Sequence, residues 1–243
     1  MTIETDKLPA RVLYMDEYLA VVSKKIGEIC ESDPEDKSLS LVENLRPGIE
    51  AAAGKKFAGL EAVHRIDQPV SGCVLLALDN TTLATLSAQF AAGQIRKKYL
   101  AVVEKPKTGD IAQGGRLEHM LRFDHKHHKA SVCGKEDIRK PGPDWKNAAL
   151  AWKLIGMGDR YAFLEVQPET GRTHQIRAQL AAAGMPIKGD LKYGAKRSDP
   201  LGGIRLHAWA IQFRHPVSGD AITVLAPVLD ADALWQAVEK VLP

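Results

Sequence analysis

The chain has 243 residues, 45% hydrophobic and 26% charged, enough apolar material for one large folded domain or two small ones and too much for a disordered chain. Its three cysteines, Cys30, Cys73 and Cys133, are an odd number without metal-ligand spacing, which argues against a disulfide framework and for reduced thiols in the cytoplasm. Net charge is only +3, but residues 93–140 carry 12 basic against 6 acidic side chains and residues 171–214 carry 8 against 2. Such blocks suit phosphates, although a solvated charged face explains any single run as well.

MTIETDKLPARV holds no apolar core of a signal peptide, and no stretch is long enough to cross a bilayer. RVLYMDEYLAVVSKK alternates like two short strands about Met15-Asp16-Glu17, so a hairpin is expected there. Residues 30–59 are polar and punctuated by Gly and Pro, with one helix-like piece, SLSLVENL. His64-Arg65-Ile66-Asp67 follows. Asp67-Gln68-Pro69 is turn chemistry, because proline fixes its own φ and pushes the residue before it towards extended backbone. The run CVLLAL from Cys73 is expected as a buried strand, with Asp67 on a bend at its mouth. Asn80 or Thr81 is expected to cap a helix whose apolar face is Leu83, Leu86 and Phe90, with Gly93 ending it.

IRKKYLAVVEK returns as a strand that closes near Pro106. EHMLRFDHKHHKASV is then expected as a basic, His-rich loop. Its histidines lack a helical i, i+4 pair backed by carboxylates, and Arg122, Lys126 and Lys129 beside them would repel a cation, so no metal is expected. AALAWKLI and RYAFLEV read as strands joined at Gly156-Met157-Gly158-Asp159. GRTHQIRAQLAAAGMPI reads as a helix from about Thr173, with Ile176, Leu180 and Ala183 inward and Gly184 closing it. LHAWAIQFRHPVSGDAITVLAP is expected as a hairpin about Pro216 to Gly219, and DADALWQAVEKVL as a terminal helix. Strands and helices mix without strict βαβ alternation, so the fold class is α+β, a mostly antiparallel mixed sheet with flanking helices. No repeat or low-complexity linker divides the chain, and a single domain over residues 1–243 is expected.

Three features invite a joint explanation: the carboxylate of Asp67 beside Arg65, the phenol of Tyr99 behind Lys97 and Lys98, and a helix opening with Thr173-His174-Gln175-Ile176-Arg177. Taken as one site they supply a nucleophile or base, a planar group to stack on a nucleobase, and a cation to hold the carboxylate ionised. Each also has a plainer reading as turn former, core residue or surface charge.

His64-Arg65-Ile66-Asp67-Gln68-Pro69-Val70-Ser71-Gly72 is followed by Lys98-Tyr99-x-Ala101-x-Val103, by Gly171-Arg172-Thr173-His174-Gln175-Ile176-Arg177 and by Gly189-Asp190-x-x-Tyr193-Gly194. His207-Ala208 and His215-Pro216-x-x-Gly219 complete the series. With these motifs in this order over about residues 12–228, the chain resembles the RluA-type pseudouridine synthases, whose first motif is His-Arg-Leu-Asp-x-x-Thr-Ser-Gly.

The resemblance implies the pseudouridine synthase fold as one catalytic domain, without the small RNA-binding domain that many relatives carry ahead of it. It implies an isomerase that converts specific uridines of tRNA or ribosomal RNA to pseudouridine and whose partner is RNA; a monomer is expected as the default for a compact domain with no apolar stripe left over, in the cytoplasm that the cysteines indicate. Uridine must be detached at N1, turned and rejoined through C5 with no redox change, so no cofactor is expected.

Asp67 matches the catalytic aspartate, Arg177 the basic residue that pairs with it, and Tyr99 the aromatic that packs on the target base and assists proton removal. Ile66 and Ile176 would line an apolar wall, and Arg65 would fill the space left by the flipped nucleotide. Arg122, Lys126 and Lys129 fall in a loop that grips RNA in relatives, and Arg172 and His64 complete the substrate-binding set. His64 and His174 are expected to hold the motif backbones together rather than move protons. The chain departs from the pattern at Lys25, where relatives commonly have proline, at Val70 in place of threonine, and at Gln179 and Met185 in place of histidines. The alternative function is an RNA-binding or RNA-folding protein with incidental or no catalysis. A carboxylate glycoside hydrolase would need a second, acidic carboxyl partner, where Asp67 has Arg65 instead.

Overall fold

The computed structural model describes residues 8–32, 38–106, 110–133, 142–229 and 231–242. In chain order these form β1 (Val12–Met15), β2 (Leu19–Lys24), α1 (Leu41–Ala53), β3 (Glu61–Ala62), β4 (Ser71–Ala77), α2 (Asn80–Ala91), β5 (Arg96–Glu104), β6 (Gly114–Asp124), β7 (Lys129–Cys133), β8 (Lys146–Met157) and β9 (Tyr161–Pro168). Then come α3 (Gln175–Ala182), a 3-10 turn (Leu191–Tyr193), β10 (Leu206–Arg214), β11 (Ala221–Leu225) and α4 (Ala233–Glu239). The class is α+β with mostly antiparallel strand pairing. The chain divides into two compact units, one from residues up to Lys97 with Ala208–Leu229, the other from Lys98–His207 with the residues after Asp230.

In the first unit β1, β2 and β4 form a ladder, with β2 running antiparallel to β4 from Leu19 opposite Ala77 to Lys24 opposite Gly72. The runs LAVV and CVLLA are buried on both faces, which is why they read as continuous apolar stretches rather than alternating ones. Leu19, Val21, Cys73 and Leu75 share one face, where α2 adds Leu86 and β10 and β11 add Ile211, Phe213 and Val224. Burying each such leucine contributes about 1.5–3 kcal/mol.

Asp79 caps α2, one residue ahead of the expected Asn80, with its carboxylate accepting from Thr82 N at 2.8 Å. Ser40 caps α1 in a reciprocal box with Glu43. That helix continues past SLSLVENL to Ala53 with Pro47 on its exposed side, where the carbonyl that loses its backbone donor lies towards solvent. Gly72 has φ +115, and a Cβ there would stand 2.3 Å from the Ala208 carbonyl oxygen. Only glycine permits that approach of β10 to the start of β4.

The second unit has the order β5-β9-β8-β6-β7. EHMLRFDHKHHKASV, expected as a loop, is instead a hairpin: β6 and β7 pair from Met120 opposite Cys133 to Asp124 opposite Lys129. Leu121 and Phe123 alternate with Arg122 and Asp124, and Ala130 and Val132 face the same core, but the charged tip from His125 to His128 interrupts that pattern in the sequence. Helix α3 packs Ala178 and Ala181 on this hairpin. It begins at Gln175 rather than Thr173, because His174 takes a left-handed conformation (φ 56) that ends the preceding chain direction. Among the described residues no helix is long and apolar enough to cross a membrane.

Candidate active site

Asp67 lies in the first unit on the loop between β3 and β4, in a turn closed by Val70 N donating to the Asp67 carbonyl at 2.9 Å. The residues on either side of Asp67 are anchored by groups 36 to 44 positions earlier in the chain. Before it, the buried Ile66 donates its N–H to Cys30 Sγ at 3.5 Å, and the thiol reaches the Ile66 carbonyl at 3.6 Å. After it, the Gln68 carbonyl accepts from Gly27 N at 2.9 Å and from Lys24 Nζ at 3.0 Å. Lys24 is fully buried at the end of β2, and its ammonium spends its other two protons on the carbonyls of Lys25 (3.0 Å) and Glu28 (2.7 Å). Burial lowers the Lys24 pKa to about 8, against the charges of Glu28 and Asp67, which raise it. Burial likewise pushes the Cys30 thiol up, so it stands as a neutral donor.

Sequence reasoning missed Lys24 and Cys30. The signal for Lys24 was a lysine closing an apolar strand run, where a lysine needs partners, whereas Cys30, in the polar segment after it, carried none, because a buried free cysteine is ordinary.

His64 is a scaffold group. Its Nε2 accepts from Leu75 N at 3.1 Å and its ring packs on Phe90 at 4.9 Å between centroids. Burial, with the Lys97 charge second, lowers its pKa to about 3, so the ring is neutral at physiological pH. Arg65 is exposed, its guanidinium 3.9 Å from the Glu31 carboxylate. Two departures from the expected pattern are locally compensated. The Lys25 backbone N–H, which proline would lack, donates to Glu28 at 2.8 Å, and Glu28 also pairs with Arg11. Val70 is buried at 2% exposure, in a place that suits a methyl better than a hydroxyl.

In the second unit Tyr99 lies buried on β5, opposite Val166 of β9. Arg177 on α3 forms a bidentate fork with Asp190, Nε to Oδ2 at 2.7 Å and Nη2 to Oδ1 at 2.9 Å, with both side chains buried. Its guanidinium also lies 5.1 Å from the centre of the Tyr193 ring. Tyr193 holds this corner together: its hydroxyl accepts from Ala130 N at 2.7 Å on β7 and lies 3.0 Å from His174 Nδ1. Beside Arg177, Ile176 is buried and Gln175 bonds Thr170, Arg172 N and the Ala149 carbonyl. Gln179 donates to the carbonyls of Leu117 and Ala148 and contacts His119, and Met185 sits in the core.

The expected RNA contacts separate into two places. Lys126 is exposed at the β6–β7 tip and Lys129 lies over the Tyr193 ring at 5.4 Å. Arg122 and Arg172 both line a cleft of about 600 Å³, Arg122 packed on Trp145 at 5.2 Å and Arg172 donating to the Asn147 carbonyl at 3.0 Å. Among the described residues no three His, Cys, Asp or Glu side chains are arranged to hold a metal ion.

Residues 18–182 match the model of the family described as RNA pseudouridylate synthase. The tRNA pseudouridine synthase C of Pectobacterium carotovorum subsp. carotovorum is 30% identical over 93% of this chain, which spans 60% of that relative's length. The tRNA pseudouridine synthase C of Yersinia pestis is 30% identical over 93% of this chain and 88% of its own. The ribosomal large subunit pseudouridine synthase D of Xanthomonas campestris pv. campestris is 31% identical over 91% and 66%. Among solved structures, human RNA pseudouridylate synthase domain containing 4 superposes with a TM-score of 0.76 at 20% identity, covering 97% of this chain and 94% of that one. Human RNA pseudouridylate synthase domain containing 1 gives 0.70 at 22% identity, covering 97% and 95%.

Proposed function

The chain belongs to the RNA pseudouridylate synthase family, RluA type, and from that premise we propose that it isomerises specific uridines of tRNA or ribosomal RNA to pseudouridine. The observation that carries this reading is that one family match, residues 18–182, contains Asp67, Tyr99 and Arg177 together. In this reading Asp67 opens the glycosidic bond, either as a nucleophile at ribose C1′ or pyrimidine C6 or as the base of a glycal route. Uracil is released at N1, turned and rejoined through C5, and the C5 proton is lost to a base while N1 gains one, so atoms balance without a cofactor. Tyr99 packs on the base and assists removal of the C5 proton. Arg177, already fixed by Asp190 and Tyr193, supplies the guanidinium that the catalytic carboxylate requires. Arg65, Ile66, Ile176 and Arg172 bind the displaced nucleotide and its neighbours, while His64 keeps the motif in shape.

The target base must leave its stack, at a cost of a few kcal/mol, so loops and bulges of RNA are favoured over perfect duplex. The proposed working form is a monomeric catalytic domain over residues 1–243, in the cytoplasm, where its thiols stay reduced. Transcripts of tRNA and ribosomal RNA carrying tritium at uridine C5 test the reaction. Wild-type protein is expected to release tritium to water, and Asp67→Asn is expected to bind the same RNA and release none. Wild-type protein that binds these RNAs and releases no tritium would replace the isomerase reading with the RNA-binding one.

A further inference from the structure

In the first unit the Asp67 turn leans on the loop of residues 25–29, where this chain has Lys25 in place of a stiffening proline. Gly27 exchanges two hydrogen bonds with Gln68, its N–H donating to the Gln68 carbonyl at 2.9 Å and its own carbonyl accepting from Gln68 Nε2 at 3.1 Å. Next to it, the Glu28 carbonyl accepts from the same Lys24 ammonium that reaches Gln68. A swing of this loop is therefore passed directly to the residue beside the Asp67 carboxylate. Gly27 itself does nothing to stop one: its φ is +87, and a Cβ there would meet no atom within 4 Å.

The loop is held by an ion pair. The Glu28 side chain turns back on its own loop, where Oε2 accepts from Lys25 N at 2.8 Å. Arg11, just ahead of β1, grips both oxygens of that carboxylate, Nη1 to Oε1 at 2.9 Å and Nη2 to Oε2, which fixes its orientation as well as its place. Arg11 is in turn tied to β2, with Nε donating to the Ser23 carbonyl at 3.0 Å and its own carbonyl accepting from Ser23 N at 2.8 Å. Both side chains of the pair are only 18% exposed, so it is screened less than a surface pair. Glu28 and a proline at position 25 exclude each other: proline has no N–H to give, and its ring carbon on that nitrogen would stand where Glu28 Oε2 stands. We infer that Glu28 and Arg11 are positioning residues for Asp67, a carboxylate–guanidinium clamp that stiffens the loop in place of a proline at Lys25. The inference rests on the isomerase reading above and extends it to two residues outside the motifs that carry that reading.

The test compares wild type, Glu28→Ala, Lys25→Pro and the double variant. Tritium release from uridine C5 gives kcat and KM, and hydrogen exchange at the Gly27 and Val70 amides, which bond the Gln68 and Asp67 carbonyls, reads the order of the turn without RNA. Glu28→Ala is expected to lower kcat about tenfold with KM within about twofold, and to speed exchange at both amides about tenfold. Lys25→Pro alone is expected to lower kcat by a similar factor, because the ring displaces the Glu28 carboxylate. Added to Glu28→Ala, the same substitution is expected to bring kcat back to within about threefold of wild type and to slow exchange again, since the proline then stiffens a loop that has room for it. A general loss of stability would instead make the two effects add. Arg11→Met in the Glu28→Ala background is expected to cost less than about a further twofold, and a further tenfold loss would remove Arg11 from the clamp. Losses from Glu28→Ala and Lys25→Pro that simply add, or a Glu28→Ala protein with the kcat of an active wild type, would overturn the proposal. If wild-type protein releases no tritium while exchange follows the expected pattern, the isomerase reading fails and the clamp on the Asp67 turn stands.

Discussion

At the scale of single residues, the loop that carries Asp67 is held by an ammonium that no local pattern announces. Lys24 donates to three carbonyls from two loops, and removing it takes this donor from the carbonyls of Lys25 and Glu28 and leaves Gln68 only the Gly27 N–H. Lys24→Met is therefore expected to lower unfolding free energy by about 2–4 kcal/mol in urea titrations. It is also expected to reduce turnover at saturating RNA roughly 10- to 100-fold, because a shift of the Asp67 turn misplaces the reacting carboxylate. An unchanged turnover in a variant of lowered stability would confine Lys24 to a structural role. His64 gives a pH prediction with a definite sign. Its folded-state pKa of about 3 lies below the ordinary 6.5, so the unfolded chain binds the extra proton first and stability is lost as pH falls through that window. The loss is expected to reach up to about 4 kcal/mol near pH 3, and His64→Gln, whose amide oxygen can still accept from Leu75 N, should flatten the slope.

At the scale of elements, α3 is buried nearly all round, with Gln175, Arg177 and Gln179 inward along with Ile176, Ala178 and Leu180. A helical reading that sends only Ile176, Leu180 and Ala183 to the core misses this, because the polar side chains are admitted by partners distant in sequence. Asp190 is the partner that admits Arg177, and Asp190→Ala is expected to cost about 3–5 kcal/mol by leaving a buried guanidinium without its carboxylate. Thermal melting of that variant within a degree or two of wild type would contradict the fork as a support of α3. The hairpin of β6 and β7 was illegible for a different reason. Its inward residues Leu121, Phe123, Ala130 and Val132 keep the two-residue period on both sides, but the run His125-Lys126-His127-His128 breaks the count between them. The hairpins of β1 with β2 and of β10 with β11, and the capped helix α2, were legible because their turns carry the polar or glycine residues that such turns need.

At the scale of the whole molecule, the family and the proposed catalytic aspartate were readable because motifs of special residues survive in one dimension, while the groups that hold them act across the chain. Asp67 could be found from His64-Arg65-Ile66-Asp67, whereas Cys30 and Lys24 become neighbours of that motif only after β2 and β4 pair. Charge is the other whole-molecule property. If Arg122, Lys126, Lys129 and Arg172 all meet phosphate, about four single-strand contacts predict an affinity loss of roughly 50-fold between about 50 and 200 mM salt. A nearly flat salt response in filter binding would remove those four from the interface. The most direct measurement is pseudouridine mapping by chemical adduct and primer extension on unmodified tRNA and ribosomal RNA treated with wild-type protein or Asp67→Ala. Adduct stops at defined uridines with wild type and at none with Asp67→Ala are the expected result; stops that persist unchanged in Asp67→Ala would contradict the assignment of Asp67 as the catalytic group.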